Sequence, residues 1–409
     1  MPKLDACRIC GCSDFEMVLD LGRTPLANEF LMPEQAQKQE THPLRVNYCK
    51  TCSHLQLGYY IDPEILFRHY LYFSSNSPMA EKHFADLAQI LYTRFLKPND
   101  LAVEVASNDG IFLRNLKPKP IHILGVEPAK NIAKVAIENG IPTHCDFFCY
   151  RSAQDVRAAR GQAALISGCN VFAHVLDLHD FMKGVDHLLK DDGVFMVEFP
   201  YAMDLIERME FDTIYHEHLS YFLLRPLTAL FAKHRMHVFD VQRVSIHGGS
   251  IRVFVQKDGT GKQPVNPIVE RLLRDEKEKG FYDLETYKRF SQKVGLLKAD
   301  LVQTLSDLKR GGKRIFAYGA AAKGSTLLNY YGIGHDTIEF IVDRSPHKVG
   351  RLSPGTHIPV ISVEKFKADY PDYLLVLAWN FYEEIVEQQA EFQAAGGHFI
   401  IPVPTVQIK

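Results

Sequence analysis

Two pairs of cysteines near the start of the chain have the spacing of a metal site. Cys7 and Cys10 form one Cys-x-x-Cys motif, and Cys49 and Cys52 form a second. A tight turn with such a pair can direct two thiolates at one ion, and two turns complete a tetrahedral zinc site. Four thiolates leave no open coordination position, so the motifs predict a structural zinc. Four reduced buried thiols, or a redox pair, are the alternatives.

A second group of reactive side chains is the run Tyr215-His216-Glu217-His218, which combines two imidazoles, a carboxyl and a phenol. An imidazole has an ordinary pKa of about 6.5 and therefore suits proton transfer near neutral pH. A stretch of this composition is, by itself, more often part of a core or a surface. The residue types alone therefore leave its role open.

A third candidate is the loop 107–110, Ser-Asn-Asp-Gly, which follows the short apolar segment 101–106. Its single glycine does not make the G-x-G-x-x-G pattern, which argues against a pyrophosphate site. Glu127 comes 17 residues after Gly110, where an acid can accept both ribose hydroxyls of a nucleoside. A nucleoside without phosphates, such as S-adenosylmethionine (SAM), fits this pattern. The alternative is a generic α/β domain with an exposed Glu at a strand end.

A fourth candidate is the loop 319–326 near the C-terminus, which runs into a predicted helix. A helix N-terminus there could seat phosphate oxygens, with the Lys323, Ser325 and Thr326 side chains as added donors. Arg344 and Arg351 are the cations nearest in sequence to that region. The alternative is a loop that only packs.

The elements that must position these groups follow from the apolar periodicity. Residues 79–96 have helical spacing, and short strands alternate with helices over 101–199. This alternation predicts a mostly parallel sheet with helices on both faces. Segments 238–244 and 251–256 predict two antiparallel strands that close the unit. The highly charged stretch 267–310 predicts a solvated helical connector.

A second, smaller parallel sheet is predicted after the connector, beginning with the strand 314–318. The predicted fold is therefore of the α/β class, in three parts. Residues 1–75 form a small zinc-binding module, and residues 76–260 form a Rossmann-like SAM-binding domain. Residues 261–409 contain the connector and a smaller doubly wound α/β domain.

Composition narrows the classes of function. Lys and Arg number 47 and Asp and Glu 49, a net charge of −2 with no basic stripe, which argues against nucleic acid as a partner. The longest apolar run, at 374–379, is far shorter than the roughly 20 residues of a membrane span. The first ten residues lack the apolar core of a secretory signal. We therefore expect a cytoplasmic protein without a membrane partner, and the oligomeric state is left open.

Together these motifs resemble one family, the SAM-dependent C-methyltransferases that act on nucleotide-linked keto sugars. The resemblance covers essentially the whole chain. It is carried by the two Cys-x-x-Cys motifs, Tyr-x-Ser-Ser at 72–75, Glu-Val-Ala-Ser-Asn-Asp-Gly at 104–110, Gly-Val-Glu-Pro at 125–128, the run 211–218, His-Gly-Gly-Ser-x-Arg at 247–252 and Tyr-Gly-Ala-x-Ala-Lys at 318–323.

The resemblance implies transfer of a methyl group to carbon 3 of a sugar that has a ketone at carbon 4. Such chemistry needs a base, a donor that stabilises the enolate and a methyl donor in line. The resemblance assigns His218 as the base and Tyr215 as a hydrogen-bond donor to the enolate oxygen. Glu217 would bind a sugar hydroxyl or orient the histidine. His216 is expected to be a bystander, with the base role as its alternative.

The resemblance also implies the remaining contacts. Tyr72 and His174 match pocket residues of the family. The residues expected to bind SAM are Glu104, Ala106, Asn108, Gly110, Glu127 and Asn170. Lys323, Ser325 and Thr326, with Arg344 and Arg351 nearby, are assigned to the diphosphate of a nucleotide-sugar substrate.

Three other functions compete with this interpretation. A nicotinamide-dependent (NAD(P)) oxidoreductase acting on a nucleotide sugar would use the C-terminal sheet, with Asp343 on the ribose. A zinc-containing adaptor would have no chemistry at all. An O- or N-methyltransferase on a similar fold would need no proton abstraction from carbon.

Overall fold

A computed structural model of the chain describes residues 2–68, 70, 73–76 and 78–409. Within these residues the strands form three hydrogen-bonded sheets, one in each third of the fold. The same residues contain no helix that is both long enough and apolar enough to cross a lipid bilayer.

The N-terminal part is an antiparallel sheet that carries the cysteine motifs at one end. Leu44, Val46 and Tyr48 alternate inward along its second strand, the two-residue period of a sheet with one buried face. Its elements are β1 (Phe15–Thr24), β2 (His42–Cys49), β3 (Leu55–Leu57) and the short helix α1 (Pro63–Phe67).

The central part is the predicted α/β unit. Its elements are α2 (Pro78–Phe95), β4 (Leu101–Val105), α3 (Ile111–Leu116), β5 (His122–Val126), α4 (Lys130–Glu138), β6 (Thr143–His144), α5 (Tyr150–Arg160), β7 (Ala163–Cys169), α6 (Leu178–Leu188), β8 (Leu189–Pro200), α7 (Ala202–Glu207), β9 (Ser220–Tyr221), α8 (Leu224–Lys233), β10 (Met236–Val244) and β11 (Ser250–Lys257). The strand order is β10-β11-β8-β7-β4-β5-β6. Strands β8, β7, β4, β5 and β6 are parallel, and β10 and β11 are antiparallel, as the sequence predicts.

Strand β9 belongs to the N-terminal sheet although it lies in the central part of the chain. It pairs antiparallel with β3, with Leu55 opposite Tyr221 and Gln56 opposite Ser220. The N-terminal sheet therefore has the order β1-β2-β3-β9. Residues 211–218 immediately precede β9, so this pairing holds the reactive run beside the N-terminal module.

The connector consists of α9 (Ile268–Glu278) and α10 (Leu284–Arg310), and the prediction that it is solvated is wrong. Tyr287, Phe290 and Val294 begin a buried stripe that continues along α10 and packs against β1. The charged residues occupy the opposite face of the helix. Because average polarity hides such a stripe, the composition of the segment gave the wrong expectation.

The C-terminal part is the predicted smaller doubly wound sheet. Its elements are β12 (Ile315–Tyr318), α11 (Ala322–Tyr331), β13 (Ile341–Val342), β14 (Val360–Ile361), α12 (Val363–Ala368), β15 (Tyr373–Val376), α13 (Tyr382–Gln388), α14 (Ala390–Ala394), β16 (His398–Ile401) and β17 (Gln407–Ile408). The strand order is β14-β13-β12-β15-β16-β17, so β13 and β14 lie on one side of β12 and β15, β16 and β17 lie on the other. A ligand of such a sheet would bind beyond the carboxyl ends of β12 and β15.

Candidate active site

The four cysteines of the two motifs converge at the end of the N-terminal sheet. The Sγ atoms of Cys7 and Cys52 are 3.6 Å apart, and those of Cys10 and Cys49 are 3.5 Å apart. All four Sγ atoms lie within 4.8 Å of one another. Zinc–sulfur bonds of about 2.3 Å in a tetrahedron separate the sulfurs by about 3.8 Å, so this cluster fits zinc. The cluster is the site of a structural zinc ion.

The first zinc-binding turn is tied to the central domain by Arg8. Its side chain is buried, and it donates from Nη1 to Ser220 Oγ at 2.5 Å and from Nε and Nη2 to the Leu176 carbonyl. Leu176 lies two residues after His174, one of the predicted pocket residues. The metal site therefore supports the segment that carries His174, although it lies on a different sheet.

The carboxyl ends of β4 and β7 carry an unusual backbone. Ala106, Asn108 and Asn170 have φ values of 53°, 49° and 54°, in the left-handed region that residues other than glycine seldom adopt. Each such residue costs on the order of 1 kcal/mol and is typical of ligand sites. Three of the predicted SAM residues are therefore held in strained conformations at the point where the strand order reverses.

Buried oxygen atoms without donors lie at this same edge. Within the described residues, Glu104 Oε2, Asp109 Oδ1 and Asn170 Oδ1 have no hydrogen-bond partner. Burial, and secondly repulsion by Glu127 and Asp109, raises the pKa of the Glu104 carboxyl well above its usual range. SAM carries an ammonium group and ribose hydroxyls, which are donors of the kind these oxygens lack, so the edge fits SAM.

Glu127 holds the loop together at this edge. Its Oε2 accepts from the Asn108 backbone N–H at 2.8 Å, and its Oε1 accepts from the Ala129 N–H at 2.9 Å. Each carboxylate oxygen has a further lone pair, so the side chain can still accept from a ribose. Burial raises the pKa of Glu127, and the two N–H donors oppose that effect.

Gly110 is required by the fold of the loop itself. It has φ +80°, and a Cβ there would lie 2.8 Å from Ile141 Cγ1. The absence of a side chain at this position therefore makes room for Ile141. The close approach of the cofactor that the sequence predicts is a separate reason for glycine here.

The ring nitrogens of His218 are distinguished by one backbone contact. Its Nδ1 lies 2.8 Å from the Thr213 carbonyl oxygen. A carbonyl can only accept, so Nδ1 carries the proton and Nε2 is the basic nitrogen of the neutral ring. The ring centroid lies 4.2 Å from that of Tyr215 and 4.9 Å from that of His174. Three of the predicted catalytic residues therefore form one cluster.

His174 is held in its neutral form. Burial, and secondly the neighbouring His218, lowers the pKa of His174 to about 3. Its ring also meets the edge of Phe67 from α1, with centroids 5.4 Å apart. Near neutral pH the cluster therefore gains no second positive charge when His218 accepts a proton.

Glu217 connects the reactive run with the N-terminal module. Its Oε1 accepts from Asn28 Nδ2 at 2.7 Å, and its Oε2 accepts from the Tyr70 hydroxyl at 3.0 Å. Burial raises the pKa of Glu217, and these two donors oppose that effect. Neither Asn28 nor Tyr70 was predicted from the sequence as a site residue, because neither belongs to a motif whose spacing relates it to Glu217.

The predicted pocket residue Tyr72 lies outside the described residues. The segments on either side of it contact α4 and the loop 107–110, at the edge of the central sheet that fits SAM; we call this edge the SAM edge. Tyr70 exchanges two hydrogen bonds with the Asn131 side chain. The Ser74 and Ser75 backbone N–H groups donate to the Asn108 and Asp109 side chains at 2.9 and 3.2 Å.

His216 is placed differently from His218. It is buried, and its ring meets the edge of His42 at 5.8 Å, with both ring nitrogens lacking partners among the described residues. Burial, and secondly His42, lowers the pKa of His216 to about 4. The two histidines of the run thus occupy different environments.

The C-terminal loop is closed by its own residues. The Ala320 and Ser345 backbone N–H groups both donate to the Asp343 carboxylate at 2.7 Å, and Lys348 donates to the Ala320 carbonyl at 2.6 Å. A Cβ at Gly319 would lie 2.9 Å from Ala378 Cβ. Asp343, the ribose contact of the oxidoreductase alternative, thus accepts two backbone N–H groups, as Glu127 does in the central domain.

The five residues predicted to bind a diphosphate do not form one cluster. Lys323 lies over the Trp379 ring at 4.0 Å, and Thr326 Oγ1 lies 3.3 Å from the Ile214 carbonyl oxygen. Ser325 is buried. Arg344 lies 3.9 Å from Glu384, and Arg351 donates to the Phe30 carbonyl at 3.1 Å. Their role in phosphate binding stays a prediction.

The SAM edge, the histidine cluster and the cysteine site define a SAM-dependent methyltransferase with a structural zinc ion. Comparison with protein families agrees. Residues 7–67 match the family described as "Putative zinc binding domain", residues 79–234 the "Methyltransferase domain", and residues 245–404 the "C-methyltransferase C-terminal domain".

The chain belongs to the C-methyltransferase family. It is 37% identical to the C-methyltransferase NovU of Streptomyces niveus over 407 residues, which cover 99% of this chain and 97% of NovU. This relationship decides against the oxidoreductase and adaptor alternatives, and it makes carbon the methyl acceptor rather than oxygen or nitrogen.

Two similar solved structures each cover less than half of the chain. A SAM-dependent methyltransferase from Clostridium acetobutylicum is 14% identical with a TM-score of 0.35, covering 45% of this chain and 94% of its own. The magnesium protoporphyrin IX methyltransferase of Synechocystis is 9% identical with a TM-score of 0.35, covering 44% and 83%. These similarities add nothing to the family assignment.

Proposed function

We propose that this C-methyltransferase methylates carbon 3 of a nucleoside-diphosphate-linked 4-keto sugar, with His218 as the base. The observation that carries the proposal is the hydrogen bond between His218 Nδ1 and the Thr213 carbonyl. It leaves Nε2 as the nitrogen that can accept a proton. Carbon methylation requires such a base because the carbon must first lose a proton.

The chain's own groups suffice for the proton transfer. A C–H bond beside a ketone is weakly acidic, and Nε2 of His218 removes its proton while the electron pair moves onto the ketone oxygen. The Tyr215 hydroxyl, whose ring lies beside His218, donates a hydrogen bond to that oxygen. SAM supplies the electrophilic methyl group that the resulting carbon nucleophile attacks. Because His174 stays neutral, the imidazolium formed at His218 meets no charge repulsion from it.

Glu217 fits a positioning role in this scheme. Its two hydrogen bonds fix Asn28 and Tyr70 against the run, and its remaining lone pairs can accept from a sugar hydroxyl. Tyr72 completes the proposed pocket on the strength of the family resemblance. The proposed diphosphate contacts are Lys323 and Ser325, with Arg344 and Arg351 nearby; Thr326 is left out because its hydroxyl is directed at the Ile214 carbonyl.

The proposed location is the cytoplasm, and a nucleotide sugar is the proposed small-molecule partner. The absence of a basic stripe in the sequence supports a function without nucleic acid.

The first test replaces the base. We expect His218→Asn to lower turnover by about 10²–10⁴-fold, since a general base typically contributes that much, with SAM affinity unchanged by calorimetry. His216→Asn is the matched control and should keep turnover near the wild-type value. Near-normal turnover of the His218 variant, with loss in the His216 variant, would move the base role to His216.

A second measurement tests the acceptor carbon and the nucleotide. The wild-type enzyme should exchange the substrate's carbon-3 hydrogen for deuterium in D₂O, and the His218 variant should not. Calorimetric titration with thymidine and guanosine diphosphates identifies the carrier. If neither nucleotide binds at millimolar concentration, the nucleotide-sugar substrate is wrong even where the base assignment holds.

A further inference from the structure

The Thr213 carbonyl that orients His218 belongs to a short segment, the 3₁₀ turn Phe211–Thr213 with the next residue, Ile214. We refer to it as the 211–214 turn. Phe211, Asp212 and Ile214 are buried, so packed neighbours on other elements determine the position of the turn. The Thr213 carbonyl can orient the His218 ring only if its own position is restrained.

The C-terminal domain holds the 211–214 turn through two directional contacts. The Trp379 indole Nε1–H donates to Asp212 Oδ2 at 2.7 Å. The Thr326 hydroxyl lies 3.3 Å from the Ile214 carbonyl oxygen, which is closer than the Ala322 carbonyl of its own helix at 3.5 Å, and it donates to Ile214. These contacts fall on the residues immediately before and after Thr213, so they restrain the direction of its carbonyl.

Packing and charge strengthen this attachment. The Phe211 ring stacks on Tyr331 of α11, with centroids 5.3 Å apart. Lys323, which lies over Trp379, is close enough to Asp212 to oppose the effect of burial on that carboxyl. A buried carboxylate is costly unless it is paired or hydrogen-bonded, so Asp212 favours the geometry in which Trp379 and Lys323 both reach it.

The loops that follow β12 and β13 are joined to each other by hydrogen bonds. Asp343 and Lys348 occupy the loop's polar groups, and Gly319 packs against Ala378. Trp379 and Thr326 come from the two elements that follow the central strands of this sheet, β15 and β12. Residues that follow both central strands of the C-terminal sheet therefore contact the 211–214 turn.

We infer that the C-terminal domain positions the catalytic base, with Trp379 and Thr326 as positioning residues that act through the Thr213 carbonyl. The inference rests on the proposed function in so far as it takes His218 as the base. It gives the second α/β domain a role in the reaction. Small displacements of a catalytic group can cost about 10²-fold in rate, so the attachment has measurable consequences.

The test reads the tautomer of His218 directly, by ¹⁵N NMR of histidine-labelled enzyme with S-adenosylhomocysteine, assigned with His218→Asn. Wild type should show the Nδ1–H tautomer. Thr326→Val removes the donor at nearly constant volume, and Trp379→Phe removes the indole N–H. Both variants should show a mixture of tautomers and at least about tenfold lower kcat, with KM and S-adenosylhomocysteine affinity unchanged. The kcat probe is the thymidine- or guanosine-diphosphate-linked 4-keto-6-deoxyhexose that the wild-type enzyme turns over.

Two control variants separate positioning from general damage to the interface. Thr326→Ser keeps the hydroxyl and should restore the wild-type tautomer and kcat. Tyr331→Phe removes a hydroxyl from the same interface that has no hydrogen-bond partner among the described residues, and it should behave as wild type. Melting temperatures verify that each variant is folded, and Thr326→Val carries the test if Trp379→Phe does not fold.

The outcomes distinguish this inference from the proposed function. A wild-type tautomer and kcat in folded Thr326→Val and Trp379→Phe would overturn the inference. A rise in KM with unchanged kcat would make these residues substrate contacts and would overturn it as well. Full activity of His218→Asn would defeat the base assignment, whereas the tautomer measurement would still decide whether the C-terminal domain orients this ring.

Discussion

The two parallel sheets of this protein are built alike, yet their ligand edges differ. In each sheet an acidic residue follows the second strand in chain order. This residue is Glu127 after β5 in the central sheet and Asp343 after β13 in the C-terminal sheet. Each carboxylate accepts two backbone N–H groups from its loop. The central edge in addition contains three buried oxygens that have no donor among the described residues, at Glu104, Asp109 and Asn170. At the C-terminal edge Asn380 Oδ1, which follows β15, also lacks a partner among these residues, whereas Asp343 is held by the backbone around it.

This difference shows that an acidic residue in the position of a ribose contact does not by itself identify a cofactor site. The acid that resembles a ribose contact has a structural task in both loops. What distinguishes a binding edge is the cost that it carries, here strained backbone at Ala106, Asn108 and Asn170 together with unpaired buried acceptors. In the C-terminal sheet the described loops after β12 and β15 contain no residue other than glycine with a left-handed φ.

The largest effect is expected from loss of the zinc ion, whose first binding turn holds Arg8 against the segment that carries His174. We expect Cys49→Ser, or chelation, to unfold the N-terminal sheet, with a loss of several kcal/mol of stability, as for structural zinc sites in general. Cys12, which lies outside the four-cysteine cluster, provides the control variant Cys12→Ser. Thermal melting and metal analysis measure both, and a cooperative, normally melting Cys49→Ser protein would contradict the prediction.

The next effect compares the two acids directly. Glu127→Ala should weaken SAM binding by about 10²-fold, because hydrogen bonds to a charged group contribute about 1.5–3 kcal/mol. Asp343→Ala should lower stability by about 1–3 kcal/mol and leave SAM affinity unchanged. Calorimetry and denaturant unfolding separate the two quantities. Comparable loss of SAM affinity in both variants would remove the distinction between the edges.

The smallest effect concerns pH and Glu104. Because burial raises its folded-state pKa above the unfolded value of about 4.5, the folded protein binds this proton more tightly. Its contribution to stability is therefore complete below about pH 4.5 and is lost as the pH rises toward the folded-state pKa. Glu104→Gln cannot titrate, so the ligand-free variant should melt increasingly above wild type as the pH rises from 5 to 8. A constant difference in melting temperature across this range would contradict the assignment.

Local patterns allowed much of the fold to be predicted. The alternation of strands and helices is confirmed in both parallel sheets, and so are the cysteine cluster, the family and SAM as cofactor. These features depend on residues close in sequence, or on residue types with few roles. The prediction for α10 was wrong because it used the average polarity of the segment, which hides the buried apolar stripe along this charged helix.

The contacts that complete the site could not be read from the sequence. Asn28 meets Glu217 across 189 residues, and Trp379 meets Asp212 across 167. Asn and Trp have many roles, and no spacing rule relates positions so far apart. The contact of Thr326 with the Ile214 carbonyl illustrates this limit, because it joins residues 112 positions apart.

The pairing of β3 with β9 also affects how the protein is synthesised. Strand β3 ends at Leu57, and its partner ends at Tyr221. At about 5–20 residues per second, the edge of β3 therefore waits roughly 10–30 s on the ribosome before its partner emerges. An unpaired apolar edge is prone to aggregation during such a delay. All four zinc ligands lie within the first 52 residues, so the nascent chain can bind its metal and hold the unfinished sheet in place until β9 arrives.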